Sequence, residues 1–410
     1  MSKTINYTKV FIISFFCIFL FQIFFNTKDF NLLYILSKAV LGAVAIVFFF
    51  GYLIKLSFYN KFPPHSGFLV LLFVCLLTLS TVSSNVVFGQ PIIYGITSQL
   101  KLNAIFYYFI ALSFFIFLKP EIKELEKVFI YLGIITLVIY TLVNLFINPA
   151  SVWTKESDIV IHDSKGYRFR LKDVFIVIYL FYVFRNFLAG KQRLIMGSLV
   201  ILILLYLIIY QEQRAEFLSI VIILTWRLIT KTSVVVKVIF IGIVSTILVL
   251  LALFPGNFLN MINSVDTSSL ETRSTTFGIA YKYISSGFTN ALFGAGNLNA
   301  LWKGGFSSLY GDNFFLSDIG WAGVIFEFGI IGAVLCFITY IKVLKDVEKT
   351  NKIYNSVLLY AFADYILVRL VLSFLAPHIP YFIGVYTSIL AISVYLRFYK
   401  PKELHVELEN

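Results

Sequence analysis

Apolar positions fall in long runs rather than in stripes. Twelve stretches, 10–26, 31–54, 66–84, 104–118, 128–147, 174–189, 194–210, 216–230, 234–254, 319–341, 354–376 and 381–396, are nearly free of charge. Most approach the roughly 20 residues that cross a bilayer. Several hold only about 15 or 16 residues, so their ends are soft and a re-entrant segment stays open there. The pattern predicts an all-α integral membrane protein of about 12 transmembrane helices, with 1–410 as a single polytopic membrane domain. Val10 to Phe25 follows Lys3 and Lys9 as a signal peptide would, but no small-x-small site comes after it, so a retained helix is expected.

Composition removes the soluble alternative. The 410 residues are 60% hydrophobic and 13% charged, with a mean hydropathy of +0.90, whereas charged residues make up roughly 25% of a soluble globule. The 45 Phe and 25 Tyr are spread over the whole chain and read as lipid-facing and helix-packing surface. Cys17, Cys75 and Cys336 lie singly inside apolar runs, which excludes disulfides and zinc ribbons.

The net charge of +12 is explained largely by topology. With the N-terminus inside, the cytoplasmic segments and the helix ends adjoining them hold 20 of the 33 basic residues, including Lys119, Lys123 and Lys127 and the linker with Lys342, Lys345, Lys349 and Lys352. Both termini are then cytoplasmic, and nucleic acid is not implied. Two long connections fall on the opposite side, 148–173 and 255–318. The first holds Lys155, Lys165, Arg168, Arg170 and Lys172; the second holds Arg273, Lys282 and Lys303. These cations oppose the topological bias. The second loop is too rich in Phe, Leu and Tyr for disorder, and Thr272 to Ile284 has a helical pattern, which predicts a surface-lying helix.

Three further cations need a reason. Arg214 stands in the polar break Gln211-Glu212-Gln213-Arg214-Ala215-Glu216, where a snorkelling interfacial role is the plain alternative to a functional one. Arg369 lies roughly 10 Å inside the eleventh stretch, with Asp364 as a candidate partner. Lys38 repeats the pattern in the second stretch. Arginines gathered at one side suit a phosphate or diphosphate, because the guanidinium fork grips two oxygens at every physiological pH. No Walker or dinucleotide motif and no D-x-D is present, so no cofactor and no metal is expected. Asp318, where loop meets apolar helix, is expected to cap that helix and is also a candidate base. His162 reads as a solvated side chain.

Four segments in order resemble elements of the bacterial O-antigen polymerase/ligase superfamily. Gln213-Arg214-Ala215-Glu216-Phe217-Leu218 resembles its S-R-x-x-x-L element. Arg273-Ser-Thr-Thr-Phe277-Gly-Ile-Ala280 followed by Leu292-Phe293-Gly294-Ala295-Gly296 looks like the R-x-x-x-W/F-x-x-A and G-x-G elements of the large periplasmic loop. Asp318-Ile-Gly320-Trp321 with Glu327-Phe-Gly329-Ile-Ile-Gly332 is similar to the closing D/H-x-G and E-x-G-x-x-G segment. Gly166-Tyr167-Arg168-Phe169-Arg170 resembles the R-F/L element.

The resemblance implies a GT-C-like, metal-independent membrane glycosyltransferase of the bacterial inner membrane. It would act on undecaprenyl-diphosphate-linked glycans, with a chain-length regulator as the protein such an enzyme would meet. Ligases of the group carry a His where Asp312-Asn313-Phe-Phe-Leu316 stands here, which favours the polymerase (Wzy) branch. Under that reading Arg214 and Arg273 hold the diphosphate, Arg168, Arg170 and Arg369 support them, and Asp318 or Asp312 takes the acceptor proton. An O-antigen ligase is the nearer alternative; a lipid-linked oligosaccharide flippase is the alternative of another class.

Overall fold

Capping residues and glycines set where the apolar runs become helices. The computed structural model describes residues 6–21, 40, 42–44, 46–52, 54, 63–153, 159–163, 166–169, 171–211, 214–231, 267–311, 314–376 and 379–400. Half of the expected stretch 31–54 and all of 234–254 lie outside these, as do Lys38, Arg170 and Asp312 and the side chains of His162 and Arg214.

Helix α1 (Tyr7–Leu20) opens on Asn6, whose side chain accepts from the Lys9 N–H. Helix α2 (Ser66–Phe88) is followed by short α3 (Ile92–Ser98) and by α4 (Leu100–Leu118), whose first turns to Phe106 are wound as a 3-10 helix. Glu121 and Glu124 form a reciprocal capping box, so α5 (Ile122–Phe146) begins well before the apolar run at 128. A hairpin comes next, strands β1 (Val160–Asp163) and β2 (Gly166–Phe169), with Ile161 opposite Arg168.

Helices α6 (Val174–Leu188), α7 (Arg193–Tyr206, widened to a π turn over Leu207–Gln211) and α8 (Arg214–Lys231) follow. The second long loop contains α9 (Thr267–Ser285), α10 (Phe288–Phe293) and α11 (Gly305–Tyr310). Last come α12 (Trp321–Tyr354), α13 (Val357–Leu372) and α14 (Ile383–Val394).

Among the described residues α2, α4, α5, α7 and α12 are long and apolar enough to cross a membrane, and α1, α6 and α14 are shorter apolar helices. The chain is a multi-pass, essentially all-α membrane protein. The linker with Lys342, Lys345, Lys349 and Lys352 is not a loop. It has no Gly or Pro to stop the helix, so α12 runs on to Tyr354 and ends at left-handed Asn355. The expected stretch at 354 therefore starts instead at Val357, capped by Ser356. The surface helix is present as α9. Its Ala280 is buried with Phe314, Leu316, Ile319 and Phe326 in a small second core beside the main bundle.

In the main bundle α6 packs on α5, α7 and α13, while α13 also meets α8 and α12. Charge fixes this arrangement. Asp364 on α13 takes Arg185 of α6 (Nε to Oδ2 2.5 Å, Nη2 to Oδ1 2.7 Å) and Arg227 of α8 (Nε to Oδ1 2.7 Å). Near the other end of α13, Arg369 takes Asp173, which leads into α6, and Glu216 of α8. Asp364 is therefore not the partner of Arg369, as the sequence suggested. Five residues place the two on different sides of α13, roughly 140° apart at 100° per residue.

We call the end bearing the hairpin and α9–α11 the loop end, and the opposite one the linker end. Removing one partner of a buried pair strands the other charge, at a cost of about 3–5 kcal/mol. Asp364→Asn should therefore lower the melting temperature in detergent far more than Lys352→Ala, an exposed change on α12. Equal melting temperatures would dismiss the clamp as a stabilising element.

Candidate functional site

The loop end carries two buried polar clusters. The first forms where α12 breaks. Gly329 has φ 67° and ψ 179°, so the helix is interrupted one turn after Phe326, and backbone carbonyls are freed. Loop residues take them: the Ala295 N–H donates to Phe326 O at 2.6 Å and the Gly296 N–H to Glu327 O at 3.1 Å. A Cβ on Gly329 would come within 2.1 Å of Leu292 O, and one on Gly296 within 2.2 Å of Ser80 O. Both positions need glycine for positive φ and for room.

Serines on α2 and Gln90 just after it receive the loop. Ser80 Oγ accepts from the Asn297 N–H at 3.0 Å, Ser83 Oγ donates to Phe293 O at 3.1 Å, and Gln90 Nε2 donates to Asn297 O at 3.0 Å. Tyr283 of α9 donates its hydroxyl to Gly294 O at 3.2 Å. Burial pushes this phenol above its ordinary value, with Tyr310 nearby adding to the effect, so it remains a donor at physiological pH.

Inside this wall sits Glu327, 1% exposed. Its Oε1 accepts from Gln99 Nε2 and from Lys101 Nζ, both at 2.7 Å, and its Oε2 accepts from the Tyr381 hydroxyl at 2.8 Å. Lys101 also lies 4.2 Å from the Tyr381 ring centroid. This carboxylate is engaged by three donors from three other parts of the chain. Its chemistry is to fix Lys101 and Tyr381, both only partly buried, at the rim of the loop end.

The second cluster is built around Arg369, 2% exposed, with Glu216 Oε1 at 2.6 Å, Asp173 Oδ1 at 3.0 Å and the Tyr365 ring 5.0 Å away. Arg369, expected to support a diphosphate, is thus enclosed by two carboxylates and faces no solvent. It braces the start of α8, where Arg214 is the first helical residue.

The remaining candidates are dispersed. Arg273 is exposed on α9, in line with exposed Phe277 and Tyr281, whose rings stack at 6.1 Å, while Thr276 and Ala280 face the second core. Arg168 lies on β2 of the hairpin. Asp318 ends a short 3-10 turn, and its Oδ1 accepts from Ser317 Oγ at 3.2 Å. It does not cap α12 as expected. Gly320 occupies that position, without any side-chain cap, because its carbon sits against Phe374 O where no side chain fits.

The sequence reading missed Lys101, Gln99, Tyr381 and the pairing role of Glu327. One signal was present: Glu327 is a lone acid inside the apolar stretch 319–341, and such residues are costly and need a partner.

Glu327→Leu should destabilise strongly, by about 3–5 kcal/mol, since it leaves Lys101 uncompensated. Adding Lys101→Met should recover much of the loss. A double-mutant cycle on melting temperatures would show this as a coupling, and simple additivity would refute the pair. No protein-family model and no curated protein sequence matches the chain.

Proposed function

We propose that the chain polymerises undecaprenyl-diphosphate-linked oligosaccharide units into O-antigen or a related surface polysaccharide. It would work at the periplasmic face of the bacterial inner membrane, with 12 spans, a GT-C-like plan and both termini cytoplasmic. Loops 148–173 and 255–318 would be periplasmic parts of one membrane domain.

One observation carries this reading: three of the segments that resemble the superfamily, far apart in sequence, meet at one end of the bundle. The Gly294-Ala295-Gly296 loop hydrogen-bonds the backbone of the Glu327 segment. The Arg273 helix packs its Ala280 against Phe326, and its Thr276 Oγ1 accepts from the Phe315 N–H at 3.4 Å. The Arg214 segment is tied to the same end through Glu216 and Arg369.

In the proposed reaction an acceptor hydroxyl attacks the anomeric carbon of the growing chain. A new C–O bond forms as the bond to undecaprenyl diphosphate breaks. The proton passes to Asp318 or Asp312, and the negative charge on the leaving diphosphate is met by Arg214 and Arg273, with Arg168 and Arg170 in support. Arg369 keeps the Arg214 helix end in place rather than touching phosphate. The reading assigns these arginines to the chemistry, and no metal or cofactor. The flippase alternative loses ground because the carbonyls beside the break in α12 are taken by loop N–H donors and not left to a cargo. The ligase alternative is disfavoured by Asp312 in place of His.

Purified protein given a defined undecaprenyl-diphosphate-linked repeat unit should yield a ladder of products. Arg273→Lys keeps the charge but loses the fork, and should cut ladder formation about a hundredfold while the protein accumulates normally. Transfer only to a lipid A core acceptor would establish a ligase instead, and uptake into vesicles without bond formation a transporter. Orientation has its own check. Cysteine at Ser307 should react with an impermeant thiol reagent from the periplasmic side, whereas cysteine at Lys352 should not.

A further inference from the structure

The linker end holds a cavity that neither charge clamp nor loop uses. Helices α5 and α6 touch closely at Gly133, where a Cβ would lie 2.4 Å from Tyr179 Cβ. Toward the linker end, residues of α5, α6 and α7 line a common hollow. A cavity of about 640 Å³ remains, with Ile130, Tyr179, Val183, Asn186, Lys191 and Met196 in its wall.

The lining is graded. Tyr179, Val183 and Asn186 follow one another at helical spacing on one face of α6, so the cleft runs about 10 Å along that helix. The buried part of the wall is Tyr179, Val183 and Asn186 and the exposed part is Lys191 and Gln192, with Ile130, Tyr182 and Met196 half-buried between them. Arg193 follows within two residues, and Lys123 and Lys127 stand on the same end of α5. Beside it, Leu194 and Ile195 of α7 are exposed, as lipid-facing residues are.

A polar cationic mouth over an apolar cleft, opening beside a lipid-facing surface, matches one ligand class. We infer that this cavity binds an anionic phospholipid, its headgroup on Lys191 and an acyl chain laid between α5, α6 and α7. The site is independent of the glycosyltransferase reading, since it lies at the opposite end of the bundle and shares no residue with it.

The experiment is native mass spectrometry of the purified full chain exchanged into detergent with equal phosphatidylglycerol and phosphatidylcholine of the same acyl composition. Phosphatidylglycerol should be retained about fivefold over phosphatidylcholine, the scale of one basic residue at a charged lipid surface. Lys191→Ala, an exposed change that leaves packing intact, should bring the two to parity. Met196→Trp, which fills the cleft, should lower retention of both. Equal retention by the unaltered protein, or retention unchanged in both variants, would overturn the site. So would displacement of the lipid by millimolar glycerol phosphate, which would mean that the headgroup alone is recognised.

Discussion

A charge inside an apolar bundle must find its counter-charge, and in this protein that requirement fixes how three helices stand together. Helices α6 and α8 have the same polarity pattern: an acid at the loop end, Asp173 or Glu216, and an arginine about three turns on, Arg185 or Arg227. Helix α13 runs the other way and carries the complement, Arg369 toward the loop end and Asp364 toward the linker end. Two clamps at two depths define a register that apolar side chains alone would leave free to slide, since lipid tails are as apolar as Leu. That register decides where Arg214 begins its helix.

The loop end is built on the same need applied to the backbone. Breaking α12 at Gly329 frees carbonyls in a region where water is scarce, and the break persists because a glycine-bearing loop supplies the missing donors. The loop in turn is fastened by serines on α2 and by Gln90 just after it, and Glu327 turns inward to hold Lys101 and Tyr381. A rigid wall results, from which cationic and hydroxyl groups reach the rim. In the proposed polymerase such preorganisation would help stabilise the leaving diphosphate.

Much of the helical plan could be read from the chain, because a run of apolar residues long enough to span a bilayer has few other uses. The surface helix α9 was legible for a related reason, its period of Phe277, Ala280 and Ile284. What the sequence hid was pairing. Nothing local distinguishes Asp364 as the partner of Arg185 and Arg227 from Asp364 as the partner of Arg369; helix crossing decides it. The helical linker after residue 341 was hidden because charge was taken as the sign of a loop, whereas only Gly, Pro or a cap ends a helix. Asp318 was expected as a cap on composition alone, and the backbone approach at Gly320 overrode it. Of the candidate cations, Arg273 is exposed on α9, whereas Arg369 is enclosed by Asp173 and Glu216.

The clamps also impose an order on biogenesis. Helices α6 and α8 leave the ribosome long before α13, so Arg185, Arg227, Asp173 and Glu216 enter the membrane without partners. All four lie near helix ends, where a long or terminal side chain can wait in the headgroup layer. Asp364, in the middle of α13, has no such refuge, and it arrives with Arg369 after the other four, into a bundle where their counter-charges already stand ready. The final assembly of this protein is therefore a docking step that only α13 can complete. A nascent chain stopped before Val357 would hold two arginines and two acids with nothing to answer them, a state that membrane quality control can recognise as unfinished.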